Sequence, residues 1–426
     1  MLDRHRAAAE AHPGLNSLVA EDWEGAARTA EAIDARRARG EPLGPLAGVP
    51  LTVKDVVAVA GLRLTAGSRA FAGNIATSTA PAVARLLAAD AVLVGKTNCP
   101  EFAFGGTCAN DLFGTTGNPR FPDRSPGGSS GGEAAALAAG ISSLGLGTDF
   151  GGSVRWPAQC TGIVALRPSV GRVPAAGQVP GLGGSVAAEG TAWPSPTSMQ
   201  GRFQVVGPLA RTVADLVLAL DVLAPGRPAG DGPLRVGWSD GALLGPVRAE
   251  VAAAVRAAAE RLAGGPRAMP AAFADCLGPY NALRDIDPMH DHLLAVAGRE
   301  DLVSPDCLRT FAASLGADAA THTAAWRRAL EAQAAALAVF DEVDVVLLPV
   351  AGGPACLPDG TVDVDGTPVG GWALMAHCRA VTLLGAPAVS VPVATSAEGL
   401  PISVQVVAAP GRDEVALRAA ALLERA

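Results

Sequence analysis

The sequence predicts an α/β fold, a β-sheet covered by α-helices on both faces. Short β-branched runs alternate with alanine-rich helical stretches between residues 50 and 150, and the strand-like runs AVSVPV and ISVQVV return near the end. Hydrophobic residues make up 49% of the 426 positions and charged residues 17%, which supplies a large core and argues against disorder.

In chain order, residues 21–39 place alanine, acidic residues and arginine at helical spacing, with Gly40 as a stop. Leu51 to Val59 alternates and is β-branched, so it reads as a strand carrying Lys54. A helix at Pro81–Ala89, a strand at Ala91–Val94, a helix at Glu133–Ala139 and a strand at Ser143–Leu146 follow. From Ser169 to Gly207 the chain is rich in Gly, Pro, Ser and Ala without periodicity, as expected of a long surface segment near the catalytic loops. Helices are expected at Ala249–Leu262 and Ala324–Phe340, a strand at Val343–Val350, and a final helix from Asp413. The stretch Ala210 to Phe340 carries no recognisable chemistry, and the turn-rich Pro225–Pro233 is the nearest thing to a boundary.

Composition excludes several classes of function. Mean hydropathy is +0.30, yet the best apolar run, Ala134 to Gly147, is broken by glycines and serines and is shorter than the roughly 20 residues a membrane helix needs. The first residues carry no apolar signal core, so a cytoplasmic location is expected. Seven cysteines without a CxxC pair read as reduced, buried thiols rather than a disulfide or zinc framework. A net charge of −8 without a basic run disfavours nucleic acid as a partner.

The chemistry concentrates in one segment. PGGSSGG spans Pro126–Gly132, a helix follows, and GLGTDFGGSVRWPAQCTG runs from Gly145 to Gly162. Glycine turns at strand ends bring backbone close to a ligand and present N–H groups to an anion. Phe150-Gly151-Gly152-Ser153 can therefore build an oxyanion hole, to which a helix starting at Ser153 would add its positive end. A serine nucleophile needs a base. None of the six histidines lies in a glycine-rich or strand-end context, whereas Lys54, in an apolar strand, can be made neutral near pH 7 by burial.

VKD at 53–55, GGSSGG at 127–132 and GTDFGGSVRWPAQCTG at 147–162 together resemble the amidase signature family. Lys54 and Ser129 stand 75 positions apart and Ser129 and Ser153 stand 24 apart, as that family's lysine, bridging serine and nucleophilic serine do. The resemblance continues through VGKTNCPEFAFG, LRPSVGRVP, VVGPLARTVADL and LLGAPAVSVPV, and covers nearly the whole chain. It implies the amidase signature fold, with a large mixed central sheet, and an amidohydrolase in which Ser153 attacks a carboxamide carbonyl and passes its proton through Ser129 to Lys54. It also implies a cis peptide at Gly128–Ser129, an oxyanion hole from the amides of Phe150, Gly151, Gly152 and Ser153, and orienting roles for Ser130 and Thr148. The family begins with an additional helix, and this chain is expected to start within or after it.

Asp149 and Arg155 flank the nucleophile and read as a structural ion pair, with a substrate carboxylate as the alternative for Arg155. The tripeptide His290-Asp291-His292 reads as a polar cluster at a helix edge, and Cys99 and Cys160 as small buried hydrophobes. No cofactor or metal is called for. One domain is expected, with a catalytic core at about 45–215, a mostly helical substrate-side region at 216–342 and C-terminal strands and helix at 343–426. Ala351–Pro354 and Met375–Leu384 are expected at the pocket. Aromatics are scarce, 4% with one tyrosine, which points to a small or aliphatic amide or ureide. Two other readings keep the acyl-enzyme: an acyltransferase whose acceptor is an amine, and a glutaminase-type subunit of an amidotransferase complex. A homodimer is left open.

Overall fold

The computed structural model describes residues 2–179, 198–226, 229–263 and 265–425. An 11-stranded mixed sheet forms its frame. Its strands are β1 (Leu18–Glu21), β2 (Pro50–Lys54), β3 (Val92–Thr97), β4 (Leu144–Asp149), β5 (Val164–Arg167), β6 (Val205–Ala210), β7 (Val236–Trp238), β8 (Arg267–Ala268), β9 (Val345–Pro349), β10 (Ala388–Thr395) and β11 (Pro401–Ala408). They lie in the order β1-β3-β2-β4-β6-β5-β10-β11-β9-β7-β8. β3, β2 and β4 are mutually parallel, and β9, β7 and β8 likewise, while the strands from β4 through β11 to β9 run antiparallel.

Every residue of β2, β4, β5, β6 and β9 is buried. Strands hidden on both faces need cover on both sides, and helices provide it around the sheet. The main core packs Leu51, Val53, Leu146, Leu166, Val206, Leu347, Val389 and Val404 against helical residues such as Val83, Leu86, Leu216, Val255 and Leu417.

Several boundaries shift from the sequence expectation. β2 ends at Lys54 instead of Val59, because Val57 N–H turns back to Lys54 C=O and Ala58 N–H pairs with Gly177 C=O. β4 extends three residues past Leu146 to Asp149, paired with β6 as far as Val205. The expected helix at Ala324–Phe340 starts earlier, at Ala319 behind an Asp318 cap, and divides into Ala319–Leu337 and Val339–Glu342. The helix at Ala249–Leu262 has the expected ends. Glu21, expected to open a helix, instead closes β1, which pairs with β3. A helix occupies Leu2–Glu10. The Gly- and Pro-rich stretch from Ser169 to Gly207 falls in part, at 180–197, outside the described residues, as does part of Pro225–Pro233. No helix among the described residues is long and apolar enough to cross a membrane.

Candidate active site

Lys54 is the last residue of β2 and has no exposed surface. Because β2 and β4 are parallel, with Val53 opposite Leu146, their carboxyl ends open side by side. That edge of a parallel sheet is where α/β proteins assemble sites, since loops from adjacent strands meet there. Lys54 Nζ donates to Ser129 Oγ at 2.7 Å, Thr148 Oγ1 at 3.0 Å and Ser130 Oγ at 3.1 Å. Three hydroxyls thus surround one amine. Burial brings its pKa down from 10.5 to about 8, and the Asp149 and Glu133 carboxyls keep it from falling further.

Ser129 and Ser130 sit on the turn that leads into the helix Gly131–Ala138, and the Gly128–Ser129 peptide is cis. Glycines are required here by packing. A Cβ on Gly132 would strike the Asn98 backbone, so the turn can press against the end of β3 only without one. Within the first turn of that helix, Glu133 is fully buried. It accepts from Thr52 Oγ1 at 2.6 Å and Thr97 Oγ1 at 2.8 Å, and burial raises its pKa to about 7 against those hydrogen bonds. Sequence reading passed over Glu133; the one charge in GGEAAALAAG was its signal.

Asp149 organises the second loop. Its carboxylate accepts Gly152 N–H at 3.0 Å and Val154 N–H at 3.2 Å. It also receives Arg155 through Nε at 3.1 Å and Nη2 at 2.8 Å, and Arg167 Nη1 at 3.4 Å. All three ionic side chains are completely buried. Burial opposes ionisation of Asp149, but the Arg155 charge and its hydrogen bonds, with Arg167, hold the carboxyl well below the usual range. Arg155 also donates to Gln405 Oε1 at 2.7 Å and Thr382 Oγ1 at 3.1 Å, so its donors are committed to the protein. The ion-pair reading of Asp149 and Arg155 matches this geometry.

The helix after this loop begins at Arg155 rather than Ser153, leaving Ser153 half-buried in the preceding turn. Ser130 N–H donates to Ser153 C=O at 3.1 Å and joins the two serine loops. Among the described residues no hydrogen bond links Ser153 Oγ to Ser129 Oγ. Of the four amides expected in an oxyanion hole, that of Gly152 is engaged by Asp149, while those of Gly151 and Ser153 donate to no acceptor among the described residues.

Ser129, Thr148, Phe150, Gly151 and Ser153 line one cavity of about 30 Å³, closed by Phe104, Gln200, Gln204, Arg284 and Trp372. An outer cleft of about 360 Å³ shares Phe104, Arg284 and Trp372 with it and leads to solvent. Tyr280 O–H donates to Phe150 C=O at 3.2 Å and props the loop from behind. Tyr280 and Arg284 come from the helix Leu277–Asp285, in the stretch where sequence reading found no chemistry. No local motif marks them; they reach the site only through tertiary packing. Several of the scarce aromatics are gathered at this mouth. Among the described residues Ala351–Pro354 do not line the cavity. Gly152 packs against Met375 and Cys378 of the second expected segment, since a Cβ there would meet both.

The other candidates lie apart from the cavity. His292 is buried against Phe102, Phe104 and Phe311 in the helix His290–Val296, and burial lowers its pKa to about 3. Cys99 and Cys160 are buried, and burial raises both thiols.

The sequence profile of the family described as Amidase matches residues 4–262 and 297–417. The chain belongs to the amidase signature family. Indoleacetamide hydrolase of Bradyrhizobium diazoefficiens is 35% identical to this amidase over 447 residues, spanning 99% of the chain and 81% of the relative. A glutamyl-tRNA(Gln) amidotransferase subunit from Deinococcus deserti is 35% identical over 474 residues, spanning 100% of the chain and 92% of the relative. A crystal structure of an amidase superposes with a TM-score of 0.87 at 31% identity, covering all of this chain and 95% of the other.

Proposed function

We propose that this amidase cleaves the C–N bond of a small carboxamide or ureide through an acyl-enzyme on Ser153, with Ser129 and Lys54 as its proton relay. The observation that supports it most is the fully buried Lys54 amine 2.7 Å from Ser129 Oγ, with a pKa brought down to about 8. A neutral lysine can take a proton from Ser129 as Ser129 takes one from Ser153. Ser153 Oγ then bonds to the carbonyl carbon, and the oxyanion faces the amides of Phe150, Gly151 and Ser153. Gly152 holds the loop through Asp149 instead. Ser129 returns the proton to the departing nitrogen as the C–N bond breaks, leaving an ester on Ser153. Water, deprotonated by the same relay, releases the acid. We read the chain as one domain acting outside any membrane, the one-domain reading being in keeping with the 11-stranded sheet that draws strands from residue 18 to 408.

The test is turnover of small amides, ureas and aryl amides by the purified chain, with ammonia and acid both measured and hydroxylamine added in parallel. Stoichiometric acid and ammonia support hydrolysis; an amine adduct dominating in the presence of an amine would replace it with acyl transfer. A second reading is favoured by the Deinococcus relative, which belongs to an amidotransferase. On that reading the chain is inactive alone and gains glutaminase activity only with a partner subunit.

A further inference from the structure

We infer that the substrate carries a carboxylate, which Arg284 receives at the neck between the catalytic cavity and the outer cleft; this rests on the amide-cleaving reading of Ser153. Arg284 lines both spaces, so anything reaching Ser153 from the cleft passes its guanidinium. That group lies 5.0 Å from the centre of the Phe104 ring and 5.9 Å from that of Phe150. Its protein hydrogen bond among the described residues is to the Met289 sulfur at 3.9 Å, a weak acceptor. No described carboxylate forms an ion pair with it.

The two acids whose charge reaches it, Asp287 and Asp285, form no ion pair with it. Asp287 is buried and spends its carboxylate on Met199 N–H at 2.5 Å and Gln200 N–H at 3.0 Å. Asp285 stands on the wall of the outer cleft. A second cation stands behind the mouth: Arg379 donates Nη1 to Asn281 Oδ1 at 2.6 Å and lies 4.9 Å from the Trp372 ring centre, and its buried Nε has no partner among the described residues. The contrast with Arg155 and Arg167, which share the Asp149 carboxylate, is one of chemistry. Those two interior arginines serve structure and have an acid, whereas Arg284 at the neck and Arg379 behind it form no ion pair with a described acid. In a chain of net charge −8 this pair is also not a general basic background.

A half-buried guanidinium with no ion-pair partner among the described residues is stabilised by an arriving anion, and its planar fork matches a carboxylate. The inner cavity, about 30 Å³, admits little beyond the scissile group. The carboxylate then falls at the neck, and the rest of a longer substrate in the outer cleft. The substrate class is a carboxylate-bearing amide.

The experiment compares kcat/KM for half-amides of short dicarboxylic acids and for N-acetyl amino acids, each paired with a neutral amide of the same length. Protection of Ser153 from a fluorophosphonate by the same pairs reads binding where turnover is slow. At least one carboxylate amide is expected to exceed its neutral partner by about tenfold or more, with the advantage shrinking as salt is added. Arg284→Met should cut that ratio at least tenfold and Arg284→Lys should keep part of it. Neutral amides that react and protect as well as the charged ones in the wild type, or a ratio untouched by Arg284→Met, would overturn the inference while leaving amide cleavage standing. No turnover of any member, with Ser153→Ala labelled as well as wild type, would overturn the reading of the site itself.

Discussion

Lys54 Nζ lies 2.7 Å from Ser129 Oγ, with the lysine wholly buried, and on the proposed relay this pairing sets how the enzyme should respond to pH. The amine is useful as a base only when neutral, and its pKa is about 8. On the acid side log kcat/KM should therefore rise with pH and level off above about 8, reporting the free enzyme. Lys54→Ala should lower kcat/KM by on the order of 10³-fold and remove that limb. A flat profile from pH 6 to 9 in the wild type would mean that Lys54 is not the base.

The serines should separate by severity. On the proposed mechanism Ser153→Ala should abolish turnover and fluorophosphonate labelling, because no acyl-enzyme can form. Ser129→Ala should lie between that and wild type, since Ser153 would still face the oxyanion amides but lose its proton path. An active Ser153→Ala protein would remove the nucleophile from the mechanism.

Asp149 holds two buried arginines and two loop amides at once. Asp149→Asn leaves Arg155 and Arg167 without an anion, which for a buried pair costs about 3–5 kcal/mol. Urea unfolding should show that loss, and labelling of Ser153 should slow in the protein that remains folded. Unchanged unfolding would mean the ion pair contributes nothing net.

Gly152 has φ +124°, and a Cβ there would lie 2.8 Å from Cys378 Cβ. On the proposed mechanism, displacing this loop moves Ser153 against the Ser129–Lys54 relay, and a shift near 1 Å can cost about 100-fold in rate. Gly152→Ala is expected to lose at least that in kcat. Gly140→Ala is the control, because Gly140 also has positive φ but open space around it; its effect should be confined to stability, roughly 1–2 kcal/mol.

The parts of this site legible in the sequence are those carried by local pattern. Lys54 shows as a charge in a β-branched run, and Ser129 and Ser153 as serines inside glycine turns. Phe150 and Gly151 follow from Ser153 by adjacency. Arg284, Tyr280 and Trp372 were not legible, since nothing in their own segments distinguishes a helix that faces a cavity from one that faces solvent. The engagement of the Gly152 amide by Asp149 was equally hidden, being a hydrogen bond across one loop. For the fold, alternation of helix and strand predicted the frame, but the end of β2 at Lys54 depends on a turn back toward Gly177, a tertiary event that periodicity in residues 51–59 cannot signal.

Glu133 offers a test that does not depend on activity. Its folded pKa of about 7 stands above the ordinary 4.5, because burial outweighs the hydrogen bonds from Thr52 and Thr97. Between about pH 4.5 and 7 the folded protein keeps a proton that the unfolded chain has released. Stability from this group is therefore full below pH 4.5 and falls as pH rises toward 7, by on the order of 3 kcal/mol across the window. His292 and His377 act in the opposite direction: burial lowers them to about 3 and about 4, so the unfolded chain binds their protons first and stability rises with pH up to about 6.5. Lys54 is largely protonated in both states through this window and adds little slope. The net curve is thus a sum, and the difference between wild type and Glu133→Gln isolates the carboxyl. A glutamine can still bridge Thr52 and Thr97, accepting from one hydroxyl and donating to the other. Urea midpoints measured at intervals from pH 4.5 to 7.5 should show the variant gaining stability relative to wild type as pH rises. Parallel curves would mean that Glu133 is ionised in the folded protein across the range, with the Lys54 and Lys96 charges holding its pKa down.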